Sequence, residues 1–215
     1  MNTVLVIPAR YASTRLPGKP LRLLAGKPLI QHVHERALAA GFSSVLVATD
    51  DERIQAVCEG VGAKVAMTAT THETGSDRLA EVVQQQGWTD DTVVVNLQGD
   101  EPLTPVANLY HLAANMAKFP EASIATLATP ITEIDELFDP NVVKVVRDER
   151  GMALYFSRAP VPFQRDAGTA VADYALRHIG MYAYRVGFLR VFTRLAMSIP
   201  ERLEKLEQLR ALSNG

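Results

Sequence analysis

The chain has 215 residues, 47% hydrophobic and 21% charged, which is typical of a globular protein with one sizeable core. Its net charge of −2 argues against a general nucleic-acid-binding protein, since binding a phosphate backbone usually needs a basic face. The lone Cys58 excludes an internal disulfide and a cysteine-based zinc site, and we expect it to pack on a helix face. Since we expect neither a membrane span nor a signal peptide, the sequence predicts a cytoplasmic protein that binds no membrane.

The N-terminal half alternates short, β-branched apolar runs with longer helical patterns. The apolar runs predict four strands, at residues 4–7, 44–48, 64–67 and 92–97. The helical patterns predict four helices, at residues 28–40, 51–60, 76–86 and 105–118. Ser76 is the predicted N-cap of the third helix. This alternation predicts an α/β fold with a doubly wound, mostly parallel sheet.

The pattern changes after a further strand at residues 123–129. Three more strands follow without helices between them, at residues 142–147, 152–156 and 176–184, which predicts a small antiparallel subregion. Residues 165–173 are small and weakly patterned, and we expect a loop there. Leucines at helical spacing predict one amphipathic helix over residues 202–212. We interpret residues 1–215 as a single domain, with 140–185 as its antiparallel subregion.

The loop after the first predicted strand concentrates positive charge. The first acidic residue of the chain is Glu35, and five basic residues precede it: Arg10, Arg15, Lys19, Arg22 and Lys27. Gly18 allows close approach of the backbone, and the prolines beside it stiffen the loop. Because open α/β sheets bind ligands beyond the carboxyl ends of their strands, we predict a polyphosphate site here. The alternative is a solvated basic turn, and neither usual nucleotide fingerprint is present.

A second candidate stretch, Asn96-Leu-Gln-Gly-Asp-Glu-Pro102, follows the fourth predicted strand. Its tight glycine turn would project Asp100 and Glu101 at the same edge of the sheet. A carboxylate there suits Mg²⁺, which prefers one or two carboxylates together with phosphate oxygens. The alternative is a turn aspartate that hydrogen-bonds its own backbone.

Three further groups could bind a ligand or be structural. Thr74-Gly-Ser-Asp-Arg78 opens a helix whose free N–H groups could hold a base edge or an anion, or simply be capped. His178 and Tyr182 share one face of a predicted strand and, with Arg158, could recognise an anionic, hydroxylated substrate. The charged and polar residues of the last helix could do the same or face water.

Six stretches occur in order along nearly the whole chain: Pro8-Ala-Arg-Tyr-Ala-Ser-Thr-Arg-Leu-Pro-Gly-Lys-Pro-Leu21, Glu73-Thr-Gly-Ser-Asp-Arg-Leu-Ala80, Asn96-Leu-Gln-Gly-Asp-Glu-Pro102, Tyr155-Phe-Ser-Arg-Ala-Pro160, His178-Ile-Gly-Met-Tyr-Ala-Tyr184 and Leu206-Glu-Gln-Leu-Arg210. Together they resemble the 3-deoxy-manno-octulosonate (Kdo) cytidylyltransferases, also called CMP-Kdo synthetases. The resemblance implies a Rossmann-like homodimer of the nucleotide-diphospho-sugar transferase type. It would couple CTP to Kdo and release pyrophosphate, for lipopolysaccharide biosynthesis in a Gram-negative bacterium.

The resemblance also implies roles for particular residues. The nucleotide would contact Pro8, Ala9, Arg10, Ser13, Lys19, Ser76, Asp77 and Arg78. The sugar acid would contact Arg15, Gln98, Arg158, His178, Tyr182, Glu204, Glu207 and Gln208. Asp100 would bind the Mg²⁺ cofactor, and Lys19, Asp100 and Arg15 would act in catalysis, with Arg15 pairing with the Kdo carboxylate.

One departure from the family pattern concerns the C-terminal end of the sequence. Family members continue past the Leu-Glu-Gln-Leu-Arg stretch into a strand and a Gly-x-Asp-Thr-Pro-Glu-Asp-Leu stretch, whose first Asp is expected to help bind magnesium. The sequence ends at Gly215 without it, so we expect either a shortened chain or an incomplete metal site. Two alternatives therefore stay open: a nucleotidyltransferase for sialic acid or a sugar phosphate, and a nucleotide-binding protein without activity.

Overall fold

The computed structural model describes residues 2–12, 16–72, 74–166 and 168–215. The chain up to Ala125, together with Met181–Thr193, forms one compact unit, and Thr126–Gly180 with Arg194–Gly215 forms another. The elements up to residue 118 are β1 (Thr3–Ala9), β2 (Leu23–Leu24), β3 (Lys27–Pro28), α1 (Leu29–Ala39), β4 (Val45–Thr49), α2 (Glu52–Gly60), β5 (Lys64–Met67), α3 (Gly75–Gln86), β6 (Val93–Asn96) and α4 (Val106–Lys118). The later elements are β7 (Ile124–Pro130), α5 (Ile134–Phe138), β8 (Lys144–Arg147), β9 (Ala153–Ser157), β10 (Leu176–Arg185), α6 (Val186–Phe192), α7 (Ile199–Glu204) and α8 (Gln208–Leu212).

The first unit contains the predicted parallel sheet, in the strand order β5-β4-β1-β6. In the register of β1, Leu5 lies opposite Val45 of β4 and Val95 of β6. The C-terminal part of β10 adds an antiparallel strand, where Tyr182 lies opposite Asn96. The α/β, mostly parallel fold class is therefore confirmed.

Local sequence signals explain where the first helices begin and end. Pro28 immediately precedes α1, and the chain turns after this helix at Gly41, whose φ of +68° suits glycine. Asp51 is the N-cap of α2, because its side chain accepts the backbone N–H groups of Arg53 and Ile54. These signals act within one helical turn, and the predicted helices are accordingly confirmed.

The core of the first unit lies between the sheet and the helices α3 and α6. It consists of buried residues from β1, β4, β5, β6, the end of β10 and both helices: Val4, Val6, Leu46, Ala48, Ala66, Leu79, Val82, Val83, Val94, Tyr184, Val186 and Leu189. Cys58 is buried in α2, as predicted, and burial raises the pKa of its thiol to about 11. This cysteine is therefore a packing residue.

The second unit contains the predicted antiparallel subregion. Strand β8 pairs antiparallel with β9 and with β10, and Arg177 lies opposite Lys144. Strand β7 pairs with β10. Val145 of β8 and Phe156 of β9 form a small apolar cluster with the buried leucines Leu206 and Leu209.

The prediction of one helix over residues 202–212 is wrong. Helix α7 begins earlier, because Ser198 and Glu201 form a capping box, and it ends at Lys205, whose φ is +55°. A separate helix, α8, follows. The leucine spacing is misleading, since Leu203 is 75% exposed whereas Leu206 and Leu209 are buried. The sequence reading also missed the β2–β3 hairpin and the short helices α5 and α6, whose segments are too short to show a clear period.

Candidate active site

Two loops meet at the edge of the sheet where β1 and β6 end. The two strands are parallel neighbours, so their carboxyl ends lie side by side. The backbone N–H of Gly99 donates to the carbonyl oxygen of Pro8 at 3.2 Å. A Cβ atom on Gly99 would lie 2.8 Å from that oxygen, which is closer than real Cβ contacts. Glycine is therefore what allows the second loop to rest on the end of β1.

Lys19 and Asp100, one from each loop, form an ion pair. Gly18, with a φ of +66°, turns the chain into a short 3-10 helix that begins at Lys19. The backbone N–H of Gly18 donates to the carbonyl oxygen of Tyr11 at 2.9 Å. The ammonium of Lys19 donates to the carboxylate of Asp100 at 2.6 Å. The two side chains are 38% and 49% exposed, so both can reach a ligand in solvent. The structure thus joins the predicted basic loop to the predicted carboxylate.

The neighbouring carboxyl group, Glu101, differs from Asp100 in its environment. Glu101 is partly buried and accepts a hydrogen bond from the hydroxyl of Thr104 at 3.3 Å. Burial raises the pKa of Glu101 above its usual value. A raised pKa disfavours the ionised form that binds a metal, so Asp100, whose carboxylate is exposed and adjoins the basic loop, is the better candidate of the two.

The N-terminus of α3 is capped by Thr74, and the prediction that Ser76 caps it is wrong. The Thr74 hydroxyl accepts the N–H of Asp77 at 3.2 Å, while the Asp77 carboxylate accepts the N–H of Thr74 at 3.1 Å. Ser76 lies inside the helix and is buried. Thr74 and Asp77 thus form a capping box, in which the capping residue lies three positions before the acidic residue. Helix α3 therefore begins one residue earlier than predicted.

Arg78 brings a buried positive charge to the same region. Its guanidinium donates to the Asp50 carboxylate at 2.8 Å and to the hydroxyl of Thr68. The Arg78 side chain is 4% exposed and that of Asp50 is 11% exposed. The carboxylate balances the charge of the arginine and holds the guanidinium in place.

A cavity of about 140 Å³ lies in the first unit beside these groups, with room for a group larger than a water molecule. Its lining consists of Pro8, Ala9, Arg10, His72, Thr74, Gly75, Arg78 and Gln98. Four of the residues predicted to contact the nucleotide therefore share one cavity: Pro8, Ala9, Arg10 and Arg78. Gln98, predicted to contact the sugar acid, also lines it.

His72 is a cavity residue that the sequence reading missed. Its ring Nε2 hydrogen-bonds the carboxylate of Glu81 on α3, which also accepts the backbone N–H of Ala69 at 2.8 Å. The contact ties the loop before α3 to the helix. The sequence carries only a weak signal for this residue, because a single histidine two positions before the N-cap Thr74 has no distinctive spacing.

The described residues contain no group of three or more His, Cys, Asp or Glu side chains that could hold a metal ion. Asp100 is nevertheless a suitable single ligand, since its carboxylate is exposed and adjoins the basic loop. Mg²⁺ is commonly held by one or two carboxylates plus the phosphate oxygens of its nucleotide. The residues fit a metal that binds together with a polyphosphate.

In the second unit, Glu204 is tied to the end of β9. Its carboxylate accepts the hydroxyl of Ser157 at 2.7 Å and the backbone N–H of Arg158 at 2.8 Å. The Arg158 guanidinium donates from Nε to the carbonyl of Glu204 at 2.7 Å and from Nη1 to that of Pro140 at 2.8 Å. Arg158 and Glu204, both predicted sugar-acid residues, are therefore neighbours.

His178, another predicted sugar-acid residue, is largely buried in the second unit. Its Nε2 lies 2.9 Å from the hydroxyl of Thr126, and its ring packs edge-on against Phe156, with centroids 4.9 Å apart. Burial lowers the pKa of His178 to about 4, so the imidazole is neutral at pH 7. It can then act as a hydrogen-bonding group without adding charge.

Two more predicted sugar-acid residues, Glu207 and Gln208, lie at the start of α8. Glu207 lies 3.9 Å from the guanidinium of Arg210, in a partly buried ion pair. The side chain of Gln208 has a buried amide nitrogen that makes no hydrogen bond to any residue the structure describes. An unsatisfied buried donor is costly, which marks Gln208 as a residue that could bind a ligand acceptor.

Comparison with known proteins identifies the family to which the chain belongs. Residues 4–215 match the sequence profile of the family described as Cytidylyltransferase. The chain belongs to the cytidylyltransferase family. It is 57% identical to a 3-deoxy-manno-octulosonate cytidylyltransferase of Thioalkalivibrio sulfidiphilus, with 100% of this chain and 88% of the relative aligned. A protein of the same name from Halorhodospira halophila is 56% identical, with 98% and 84% aligned. The resemblance seen in the sequence motifs is thus confirmed.

Solved structures agree with the assignment of this chain to the cytidylyltransferase family. A CMP:2-keto-3-deoxy-manno-octonic acid synthetase complexed with CTP is 46% identical, with a TM-score of 0.92 over 100% of this chain and 87% of its own. A cytidylyltransferase from Leptospira borgpetersenii is only 16% identical, with a TM-score of 0.63 over 100% of this chain and 73% of its own, which shows a shared fold alone.

One more predicted residue of the cytidylyltransferase is described by the structure, and two are not. Tyr182 belongs to the first unit, where its ring stacks on Tyr184 with centroids 5.7 Å apart. Ser13 and Arg15 lie outside the described residues.

Within the described ranges, no helix is both long and apolar enough to span a bilayer.

Proposed function

We propose that the protein transfers the cytidylyl group of CTP to 3-deoxy-manno-octulosonate. The anomeric hydroxyl oxygen of the sugar acid attacks the α-phosphorus of CTP, forming a new O–P bond. The bond between the α-phosphorus and the bridging oxygen breaks, pyrophosphate leaves, and the hydroxyl proton goes to solvent. The products are CMP-Kdo and pyrophosphate.

The observation that carries this proposal is the contact between Lys19 and Asp100 at the ends of β1 and β6. A cation for phosphate oxygens and a carboxylate for a metal adjoin one another, in the same unit as a cavity lined by Arg10 and Arg78. Reactions at a triphosphate depend mainly on positioning and on stabilising negative charge, which such a constellation supplies. The names of the relatives point to the same reaction.

The first-unit residues have separate roles in this proposal. Lys19 and Arg10 bind the triphosphate, and Lys19 stabilises the charge on the departing pyrophosphate. Arg78 and the backbone at Pro8 and Ala9 contact the cytosine base. Asp100 holds a divalent metal ion, which we propose is Mg²⁺. When bound, the metal neutralises phosphate charge and polarises the phosphoryl group.

Residues of the second unit bind the sugar acid in this proposal. Arg158 supplies positive charge for its carboxylate, and neutral His178 supplies a hydrogen bond. The free amide N–H of Gln208 donates to a hydroxyl or carboxylate oxygen, which would satisfy the buried donor. Glu204 and Glu207 accept hydrogen bonds from sugar hydroxyls. The predicted contacts of Ser13, Arg15, Ser76, Asp77, Gln98 and Tyr182 stay predictions.

We also propose that the protein is a homodimer that associates through residues 140–185 and acts in the cytoplasm. Strand β9 pairs with β8 alone among the described strands. In β9, Leu154 is 59% exposed and Tyr155 is 38% exposed. Phe163, which follows β9 within residues 140–185, is 85% exposed. An apolar edge strand is a natural site for association with a second copy. Light scattering, which measures the molar mass in solution, tests the proposed dimer by comparing Leu154→Lys with the unmodified protein.

Pyrophosphate release tests the proposed reaction. The protein, CTP, Mg²⁺ and Kdo are incubated together, and parallel reactions replace Kdo by sialic acid, CTP by UTP or GTP, and Mg²⁺ by EDTA. We expect release only with CTP, Kdo and the metal ion. Release with sialic acid or another nucleotide, but not with Kdo and CTP, would contradict the proposal.

A thermal-shift series separates binding from turnover. Because Asp100 is the one carboxylate proposed to hold the metal, Mg²⁺ alone should not raise the melting temperature, whereas CTP with Mg²⁺ should. Binding of CTP without turnover of Kdo would support a nucleotide-binding protein without activity.

A further inference from the structure

A lysine that no proposed role uses is completely buried in the second unit. Lys144 of β8 has a relative exposure of 0%, and its ammonium donates to the carbonyl oxygens of Asp139 at 2.8 Å and Arg158 at 2.7 Å. No carboxylate among the described residues lies within ion-pair distance of it. Three charged groups act on it from farther away: Asp139, Arg158 and Glu204.

Fold stability does not account for this lysine. An ammonium removed from water and bonded only to neutral carbonyls has a large desolvation cost, and burial lowers the pKa of Lys144 accordingly. An apolar residue of similar volume at a buried charged position is often neutral or stabilising. A charged residue at this point therefore needs another explanation.

The contacts of Lys144 converge on Arg158. One acceptor is the carbonyl of Arg158 itself, and the other is that of Asp139, whose neighbour Pro140 accepts a hydrogen bond from the Arg158 guanidinium. The Glu204 carboxylate holds the backbone N–H of Arg158. Two charged groups thus fix the peptide units on either side of this arginine.

The guanidinium is left with one free terminal nitrogen. Nε and Nη1 donate to carbonyl oxygens, whereas Nη2 makes no hydrogen bond to any residue in the described ranges. The guanidinium has its position fixed by two neutral acceptors and keeps its charge unpaired. Such an arrangement suits an anionic ligand, because charge-assisted contacts are strong when the donor is already positioned.

We propose that Lys144 is the positioning residue that holds Arg158 in place to bind the sugar acid. The inference rests on the proposed function, which assigns Arg158 to that substrate. Lys144 acts through the backbone on both sides of the guanidinium, and its buried positive charge adds to the attraction for a carboxylate. It does not touch the substrate.

The test separates the KM for the sugar acid from the KM for CTP. In Lys144→Met the apolar chain length is kept but both hydrogen bonds and the charge are lost. We expect the KM for 3-deoxy-manno-octulosonate to rise about tenfold, the effect of losing a charge-assisted hydrogen bond. The KM for CTP should stay the same. Lys144→Gln, which retains a neutral donor, should have an intermediate KM for the sugar acid.

Val145→Ala is the matched control, because Val145 is the next residue of β8 and packs in the apolar cluster with Phe156. It removes packing from the same strand without removing a hydrogen bond, so the KM for the sugar acid should be unchanged. An equal rise in Val145→Ala would overturn the inference, and so would an unchanged sugar-acid KM in Lys144→Met or an equal rise in both KM values.

Two further outcomes are distinguishable from these. If neither Lys144→Met nor Lys144→Gln folds, Lys144 is a residue required for folding and the positioning role is wrong. If the unmodified protein binds CTP but never reacts with the sugar acid, the proposed function fails first, and the inference fails with it.

Discussion

Lys19 and Asp100 lie 81 positions apart in the sequence, yet their charged groups are 2.6 Å apart. A second lysine–carboxylate pair in the same unit, Lys27 and Glu35, has a distance of 2.9 Å. The side chains of the two pairs are similarly exposed, at 38% and 49% against 47% and 44%. The pairs differ in location, because only the first joins the loops that follow β1 and β6. They therefore allow the role of a site lysine to be separated from that of a surface ion pair.

The first prediction compares Lys19→Gln with Lys27→Gln. Lys19→Gln should lower kcat/KM for CTP by on the order of 10²–10³, since it removes a preorganised charge from the phosphates. Its melting temperature should hardly change, because exposed ion pairs contribute about 0–1 kcal/mol. Lys27→Gln should alter neither quantity. Equal losses of kcat/KM in the two variants would show that net charge, rather than position, matters.

The second prediction concerns the close approach of Gly99 to Pro8. Gly99→Ala would place a Cβ 2.8 Å from the Pro8 oxygen and 3.2 Å from the Ala9 Cβ, so the two loops must shift. We expect a loss of stability of about 1–3 kcal/mol, and a smaller thermal shift with CTP and Mg²⁺ than in the unmodified protein.

Gly60→Ala is the control for the glycine substitution. Gly60 ends α2, has no neighbour that a Cβ would meet within 4 Å, and does not need a positive φ. Alanine there should stabilise the protein by about 0.5–1 kcal/mol and leave the CTP shift unchanged. If Gly99→Ala behaves like Gly60→Ala, the contact between the loops does not shape the nucleotide site.

The parts of the site that were predictable follow from local signals and one rule of topology. A buried run followed by basic residues predicted β1 and its loop, and a second buried run predicted β6 and Asp100. Neighbouring parallel strands end at one edge of the sheet, and that rule placed Lys19 and Asp100 together. Neither step needed knowledge of side-chain packing.

The remaining features depend on tertiary contacts that sequence patterns do not carry. The break between α7 and α8 requires the left-handed backbone of Lys205, a conformation that lysine rarely adopts. The buried position of Lys144 contradicts the usual exposure of lysine, and only its two carbonyl acceptors explain it. The role of His72 depends on Glu81, nine residues later.

The third prediction tests the buried pair of Arg78 and Asp50. Arg78→Met leaves the Asp50 carboxylate, which is 11% exposed, without its cationic partner. Removing one partner of a buried pair typically costs about 3–5 kcal/mol, and urea denaturation should show a loss of this size. The CTP-dependent thermal shift should also disappear, because Arg78 lines the cavity.

An exposed arginine of α2, Arg53, provides the control for Arg78→Met. The Arg53 side chain is 60% exposed and pairs with Asp51 at 2.6 Å, but Asp51 still caps α2 through backbone N–H groups without it. Arg53→Met should therefore lower the stability much less than Arg78→Met does. The double variant Arg78→Met/Asp50→Asn should recover part of the lost stability, and no recovery would mean that the carboxylate is not what makes Arg78→Met unstable.

The fourth prediction concerns pH and His178, whose pKa burial lowers from 6.5 to about 4. Between these two values the unfolded chain binds a proton at this histidine that the folded chain does not bind. The stability that neutral His178 contributes is therefore complete above pH 6.5 and is lost as the pH falls towards 4. At pH 5 the loss should be about 2 kcal/mol.

Urea denaturation at pH 7 and pH 5 measures this loss. The free energy of unfolding should fall by about 2 kcal/mol more in the unmodified protein than in His178→Asn, which has no imidazole to protonate. His111→Gln removes an exposed histidine of α4 and should keep the same fall as the unmodified protein. An identical fall in His178→Asn and the unmodified protein would show that His178 already carries its proton in the folded state at pH 5. The imidazole would then be charged where the sugar acid is proposed to bind, and its contact with the substrate would be ionic.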